Sequence, residues 1–82
     1  MNLYIYAHPA QMITFQKVTK DNTIISVENC SFEDVVRTTA KYQRNDNINK
    51  TYIIGDTVFA DKIGTMIKNN LKNMEVERIR NA

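Results

Sequence analysis

The chain has 82 residues, and 11 Lys and Arg side chains against 9 Asp and Glu give it a formal net charge of +2 at pH 7. This length allows one domain, and it excludes a two-domain enzyme, a transporter and a long coiled coil. A composition of 43% hydrophobic and 24% charged residues also excludes a disordered tail. The charges are nearly balanced and spread along the chain, whereas a dedicated DNA-binding module usually has a basic face.

Three strands are predicted in the first thirty residues. Residues 3–7 form a short aromatic and β-branched run that ends before Pro9, which is typical of a strand. Residues 11–20 alternate between apolar and polar side chains, and residues 23–28 are again β-branched. Because Asp21 and Asn22 tolerate left-handed backbone, the second and third strands are expected to form an antiparallel hairpin.

The first strand is expected to lie in the middle of a sheet. Alternation places Leu3, Ile5 and Ala7 on one face and Tyr4 and Tyr6 on the other. Both faces carry apolar surface, so we expect cover on both of them. In that case the tyrosines pack under helices, with their hydroxyl groups at the rim.

A first helix is predicted from Ser31 to about Arg44. Its start is indicated by Ser31, whose hydroxyl can accept a hydrogen bond from the backbone N–H of Asp34. Glu33 and Asp34 suit the positive end of the helix dipole. Residues 45–50 are polar and turn-prone, and they predict a surface loop after the helix.

A buried strand, a second helix and an edge strand are predicted to follow. Residues 51–54 are short and apolar, and Asp56 or Thr57 is expected to cap the helix. Gly64 lies in the middle of this helix, where it costs about 1 kcal/mol relative to Ala, so we expect it to approach the sheet closely. Residues 74–80 mix opposite charges, as edge strands do. The predicted inner face of the helix consists of Phe59, Ile63, Met66, Ile67 and Leu71.

The element order is therefore βββαβαβ, which predicts one α+β (mixed α/β) domain over residues 1–82. We expect a mixed five-stranded sheet with the first strand near its middle, the hairpin on one side, the last two strands on the other, and two helices packed through right-handed crossovers. A ferredoxin-like sheet with an extra strand is the alternative fold.

This predicted topology is similar to a minimal ribonuclease H-like core. In that fold, carboxylates of the first strand, the first helix and the end of the fourth strand bind two metal ions. The matching positions here hold Glu33 and Asp34 at the helix start and Asp56 after the fourth strand, but the first strand has no carboxylate. Because a two-metal site needs converging oxygens, the resemblance implies a shared fold without that nuclease activity.

No catalytic group, metal site or cofactor is predicted. The chain has one His and one Cys, and neither forms part of a metal-binding motif. His8 and Cys30 could form a catalytic pair only if the fold brought them together, and Cys30 stands just before a helix, which would lower its pKa. We interpret Cys30 as a half-buried structural residue and His8 as a turn residue. A single Cys, with no leader sequence or membrane span, predicts a soluble cytoplasmic protein.

The turn Gly55-Asp56-Thr57 is a candidate ligand or anion contact. Backbone N–H groups between a strand and a helix can bind anions, and ligands collect at the carboxyl ends of strands. However, Asp56 would repel a phosphate, and the pattern lacks the second glycine and the lysine of a P-loop. A capped turn is the more ordinary interpretation.

The leading functional hypothesis is a non-enzymatic protein that binds a protein partner, or a second copy of itself, through a surface. The alternative is a nucleic-acid-binding module that stacks bases on Tyr4 and Tyr6 and uses a basic helix face. The chain is rich in residues with A- and T-rich codons, which indicates a low-GC genome and an accessory protein of a phage or mobile element that modulates a host factor. The candidate interaction residues are Tyr4, Tyr6, Arg37, Lys41 and Arg44.

Overall fold

The computed structural model describes residues 1–55 and 57–80, and within them it contains five strands and two α-helices. Short 3₁₀ turns at Pro9–Gln11 and Phe32–Asp34 precede the second strand and the first helix. The predicted element order is confirmed. The elements are β1 Asn2–Ala7, β2 Ile13–Val18, β3 Ile24–Cys30, α1 Val35–Asp46, β4 Lys50–Ile54, α2 Val58–Asn70 and β5 Glu75–Ile79.

The strands form one mixed sheet in the order β3-β2-β1-β4-β5. Strand β1 pairs antiparallel with β2 and parallel with β4, so that Ile5 lies beside Phe15 on one side and Ile53 on the other. Strand β3 pairs antiparallel with β2, and β5 pairs parallel with β4. The predicted position of the first strand in the middle of a single α+β domain is therefore confirmed.

The β2–β3 hairpin has the predicted turn. Asn22 adopts a left-handed backbone with φ of 68°, and its N–H donates to the carbonyl of Thr19 at 3.0 Å. The Thr19 hydroxyl accepts from the N–H of Thr23 at 3.1 Å and also bonds the Asp21 carboxylate. These bonds satisfy polar groups of the turn locally, which sets the register of the hairpin.

Both helices pack on the same face of the sheet. Leu3 and Ile5 are fully buried beneath them, and the ring of Phe15 in β2 stacks on that of Tyr42 in α1 with 6.0 Å between centroids. Ile63 and Ile67 of α2 complete this core. None of the helices in the described part of the chain is long and apolar enough to cross a membrane.

The expectation that helices also cover the second face of β1 was wrong. Tyr4 and Tyr6 are only half-buried, because both helices lie over the alternate residues Leu3, Ile5 and Ala7. Their paired neighbours on β2 and β4 share this uncovered face, since directly paired residues of adjacent strands point the same way.

The two helix starts differ from each other. Thr57 caps α2 as predicted, and its hydroxyl accepts from the N–H of Ala60 at 3.2 Å. Ser31 does not cap through its hydroxyl: its carbonyl accepts from the N–H of Asp34 at 3.0 Å in the 3₁₀ turn, and its hydroxyl donates to the Asp34 carboxylate at 3.1 Å. A charged carboxylate is a strong acceptor, which explains why the hydroxyl bonds there. The helix then continues to Asp46, two residues beyond the predicted end.

Gly64 approaches the sheet closely, as predicted. A Cβ atom at this position would lie 3.4 Å from Cδ of Arg78 and 3.5 Å from Cγ1 of Val76, which is ordinary van der Waals contact. Gly55 is more tightly restricted. It has a φ of 144°, and a Cβ atom there would lie 3.1 Å from the carbonyl oxygen of Ala7. Of these two glycines, only Gly55 has a backbone that an L-residue would strain to adopt.

Alanine should therefore have opposite effects at these positions. We expect Gly64→Ala to raise the free energy of unfolding by roughly 0.5–1 kcal/mol, because alanine favours the helix and fits the space. We expect Gly55→Ala to lower it by about 1–3 kcal/mol through backbone strain. Urea unfolding followed by circular dichroism measures both values. A loss of stability in Gly64→Ala would show that the helix–sheet contact leaves no room for a methyl group.

A buried hydroxyl gives a second stability prediction. Thr51 in β4 is fully buried, and its Oγ1 has no hydrogen-bond partner among the described residues. Thr51→Val should raise the free energy of unfolding by about 1 kcal/mol, because an unpaired polar atom is replaced by a methyl group of similar size. Thr39→Val is the matched control: Thr39 is equally buried but donates to the carbonyl of Val35 at 2.8 Å, so its substitution should not stabilise. Equal changes in the two variants would contradict the assignment.

Candidate functional site

The sheet surface opposite α1 and α2, called here the open face, carries three tyrosines close together. Tyr4 of β1 and Tyr52 of β4 are paired in the sheet, and their ring centroids lie 5.2 Å apart with the planes tilted by 33°. Tyr6 follows two residues after Tyr4 on the same face. All three are half-buried, so part of each ring remains available for contact.

One end of the open face is ordered by side-chain hydrogen bonds that cross three strands. The ring of His8 stacks on that of Tyr6 with 6.1 Å between centroids. Its Nε2 lies 3.0 Å from the hydroxyl of Thr14, and that hydroxyl donates to Oδ1 of Asn29 at 2.8 Å. Because the Thr14 proton goes to Asn29, the His8 nitrogen must donate to Thr14. His8 therefore belongs to this face and does more than form a turn.

The other end of the open face carries charge. Nζ of Lys50 lies 5.0 Å from the ring centroid of Tyr52, 3.1 Å from the Glu77 carboxylate and 3.6 Å from that of Glu75. The hydrogen bond with Glu77 holds the pKa of Lys50 above its ordinary value. One ammonium group against two carboxylates makes this end weakly acidic, which does not suit a polyanion.

The predicted interaction residues fall on opposite sides of the molecule. Tyr4 and Tyr6 lie on the open face, whereas Arg37, Lys41 and Arg44 lie on α1, which packs on the other face. The structure therefore brings the two tyrosines together with each other but not with the basic side chains. A single ligand strand cannot stack on the tyrosines and run along the basic helix without wrapping around a sheet edge.

The basic side of α1 is joined to β3 by a small polar cluster. Glu28 of β3 accepts hydrogen bonds from Nζ of Lys41 at 2.9 Å and from the hydroxyl of Tyr42 at 2.8 Å. The bond from Lys41, and then that from Tyr42, holds the pKa of Glu28 below its ordinary value. A groove of about 630 Å³ lies between β3 and α1 next to this cluster.

Cys30 and His8 lie on opposite faces of the sheet. They share one end of the sheet, because Cys30 pairs with Ile13 and Ile13 pairs with Ala7. However, Cys30 lies on the helix-covered face beside Ile13, and His8 stacks on the open face. Burial raises the pKa of the Cys30 thiol above its ordinary value, so the expected lowering at the helix start is wrong and the thiol is less reactive.

The turn after β4 uses its described polar groups in structural hydrogen bonds. The N–H of Gly55 donates to the carbonyl of Ile79 at 3.0 Å, and its carbonyl accepts from Arg78 at 2.9 Å. The Thr57 hydroxyl caps α2, and Asp56 lies outside the described residues. A ligand contact at Gly55, Asp56 and Thr57 therefore stays a prediction, and the N–H of Gly55 is already used.

Arg78 is an important residue that sequence analysis missed. Its guanidinium donates to the Ile53 carbonyl at 2.8 Å and to the Asp61 carboxylate at 3.0 Å, in addition to Gly55. It thus ties the end of β4 and the first turn of α2 to β5. Over residues 1–55 and 57–80, no three His, Cys, Asp or Glu side chains form a group that could hold a metal ion.

Sequence analysis did not place Tyr52, Lys50 and His8 on one face together with Tyr4 and Tyr6. The available signal was strand alternation, because Lys50 and Tyr52 are two residues apart and therefore share a face. What alternation alone lacks is the β1–β4 register that places Tyr52 beside Tyr4. Comparison with known proteins adds no further guide, since no family model, curated protein or solved structure matches this chain.

The Glu28 cluster predicts a specific loss of stability in acid. Because its folded-state pKa is lowered, ionised Glu28 stabilises the fold above its ordinary pKa of about 4.5, and this contribution is lost as the pH falls through the lower folded-state value. Glu28→Gln should therefore lose less stability than wild type between about pH 5 and pH 3. Urea unfolding at a series of pH values measures this difference.

Glu33→Gln is the matched control for that experiment. Glu33 is exposed and makes no ion pair with the other described residues, so this variant should follow the wild-type pH dependence. Identical acid dependence in wild type and Glu28→Gln would show that the cluster does not contribute to stability.

Proposed function

We propose that the chain is a small non-enzymatic binding protein that holds a protein partner on its open face. The observation that carries this proposal is the clustering of Tyr4, Tyr6 and Tyr52 on a sheet surface without a helix over it. The two helices cover one face of the sheet, and the tyrosines on the other face form a surface that a partner can contact. Its strands are hydrogen-bonded on both sides at β1 and β4, so the surface is rigid before binding.

Tyrosine is well suited to this use. Its ring supplies a large contact area at low conformational cost, and its hydroxyl keeps the surface compatible with water when no partner is bound. Tyrosines are enriched in the buried centres of protein interfaces and among the residues that dominate binding energy. The cluster measures 5.2 Å between the two closest ring centroids, which allows one partner side chain to contact both rings.

The partner that fits this face carries Arg or Lys side chains. Glu75 and Glu77 provide carboxylates at one end, and the tyrosine rings provide negative π faces beside them. Lys50 already shows the geometry, since its ammonium group lies over Tyr52 and next to Glu77. Nucleic acid is less well supported as a ligand, because the same carboxylates repel phosphates and the basic side chains lie on α1.

We also propose that the fold is a minimal ribonuclease H-like topology. In support, the element order is βββαβαβ, the sheet order is 3-2-1-4-5, and β2 alone runs antiparallel to the other strands. Strand β1 supplies Leu3, Ile5 and Ala7 to the core and no carboxylate, so the proposed function does not include a two-metal nuclease. Binding to a host factor remains our proposal for its biological role.

Removal of two open-face tyrosines should weaken partner binding. We expect Tyr4→Ala combined with Tyr52→Ala to weaken the affinity of the captured partner at least about tenfold, since hot-spot residues, among which tyrosine is enriched, each cost about 2 kcal/mol or more when truncated. The partner is first identified by cross-linking of the full chain in the source cell, and its affinity is then measured with purified proteins. Circular dichroism checks that the variant remains folded.

Arg37→Ala combined with Arg44→Ala is the control, because both side chains are exposed on the opposite side. This variant should bind the same partner with unchanged affinity. If only the arginine variant loses the partner, the open face is not the binding surface. If an oligonucleotide binds with strong salt dependence and the tyrosine variant abolishes that binding, the nucleic-acid alternative replaces this proposal.

A further inference from the structure

Within residues 1–55 and 57–80, no strand pairs with the outer edge of β3. Strand β3 is the first strand of the sheet order, and among the described residues it pairs with β2 alone, through Ile24 and residues 26–30, with a register shift at Ile25. The backbone hydrogen bonds of the described chain include none from Ile24–Cys30 to any element other than β2. An unpaired edge of this length presents a row of N–H and C=O groups on which another strand can pair.

The two edges of the sheet are chemically different. Strand β5, the opposite edge, carries Glu75, Glu77 and Arg78, and such charges discourage pairing with another strand. On β3, by contrast, the exposed side chains include Ile24, Ile25 and Val27, whose exposed fractions are 53%, 50% and 57%. The exposed side chains of the β5 edge are therefore mainly charged, whereas those of the β3 edge are mainly apolar.

A stripe of basic side chains runs beside the open edge. Arg37, Lys41 and Arg44, called here the basic stripe, project from α1 into the groove beside β3. Glu28 contacts Lys41 and Tyr42, and Cys30 lies near Thr38, so α1 runs antiparallel to β3. The side chain of Arg37 is 80% exposed, although its guanidinium is already paired with Asp34. Arg44 has no ion-pair partner among the described residues.

The basic stripe is longer than one two-residue repeat of an extended chain. From Arg37 to Arg44 the helix rises about 10.5 Å, at 1.5 Å per residue. In a strand, side chains on one face repeat every two residues, or about 6.7 Å. Two carboxylates at alternate positions of an added strand would therefore both lie within reach of the stripe. The side chains of the added strand that alternate with these carboxylates would lie on the other side of the sheet, next to Val27.

We propose that the β3 edge binds an extended peptide of alternating acidic and apolar residues as a sixth strand. Backbone hydrogen bonds to β3 supply the pairing, carboxylates on one side bind Arg37 and Arg44, and apolar side chains on the other side cover Val27. This is peptide recognition by strand addition, in which alternate side chains determine specificity. The site adjoins the open face at Val27, but it does not include the tyrosines and does not depend on the function proposed for them.

Charge argues against a second copy of this chain as the occupant. Antiparallel pairing of two β3 strands would bring two basic stripes together, and like charges across an interface are unfavourable. The carboxylates that each copy could offer in this groove are Glu28, which is already bound to Lys41 and Tyr42, and Asp34, which is already paired with Arg37. Nucleic acid would suit the stripe but would leave the backbone edge and the exposed Val27 without partners.

A designed peptide tests the site directly. The probe is a capped, fluorescein-labelled peptide of seven residues that alternates glutamate and valine, and the control peptide alternates lysine and valine. With the full chain, fluorescence anisotropy should detect saturable binding of the acidic probe and at least tenfold weaker binding of the basic one. NMR amide shifts should change within residues 24–30. Equal affinity for both peptides would overturn the proposal.

Charge reversal separates the basic stripe from general electrostatic attraction. Arg37→Glu combined with Arg44→Glu should weaken binding of the acidic peptide at least tenfold. Lys68→Glu combined with Lys72→Glu makes the same change in net charge. Lys68 is exposed within α2 and Lys72 is exposed just after it, so this variant should weaken binding less than threefold. Equal losses in the two variants would contradict a specific site on α1.

N-methylation of the peptide backbone tests strand addition itself. In an added strand, only alternate N–H groups point toward β3. Two probes, methylated on the two alternating sets of amides, should therefore differ at least tenfold in affinity. Equal affinity of these two probes would overturn the proposal. So would displacement of the peptide by an oligonucleotide whose NMR shift changes fall on α1 alone. A doubled molecular mass of the chain in solution, with no peptide bound, would also overturn it.

Discussion

The structure depends on a limit of size: two helices can cover only one face of a five-stranded sheet. Five strands spaced about 4.8 Å apart are about 19 Å wide, and two helices of about 10 Å diameter lying side by side cover that width once. The helices α1 and α2 both pack over Leu3, Ile5 and Ala7. The other face must therefore be compatible with water, and its half-buried tyrosines have the amphipathic character that this requires.

The same limit explains how few polar groups remain for chemistry. In a domain this small the junctions between layers need their own hydrogen bonds, and Arg78 supplies three of them to Ile53, Gly55 and Asp61. Its side chain is only 18% exposed. A charge buried to this extent must be paired and hydrogen-bonded in the folded protein. The turn that looked like a ligand site in the sequence is, in its described residues, part of this junction.

Local signals predicted the elements, the hairpin and the Gly64 contact, because alternation, turn residues and helical spacing act over a few residues. The covered face was harder to predict, since tyrosine suits both a buried and an exposed position and the pattern around Tyr4 and Tyr6 is therefore ambiguous. The pairing of Tyr4 with Tyr52 joins positions 48 residues apart and depends on strand register. The raised pKa of Cys30 likewise depends on burial contributed by distant elements. The open face could have been predicted from size, because two helices side by side are only wide enough to cover one face of a five-stranded sheet.

The open face and the β3 edge differ in which part of the chain makes the contact. On the open face the backbone is fully used inside the sheet, so recognition depends on side chains such as Tyr4 and Tyr52 and on the Glu77 carboxylate. On the β3 edge the backbone itself is available, and Arg37 and Arg44 only select what pairs with it. The first surface suits a folded partner with basic side chains, and the second suits an extended acidic segment. Since the sheet separates basic α1 from the acidic end of the open face, one chain of 82 residues can present both surfaces without mutual interference.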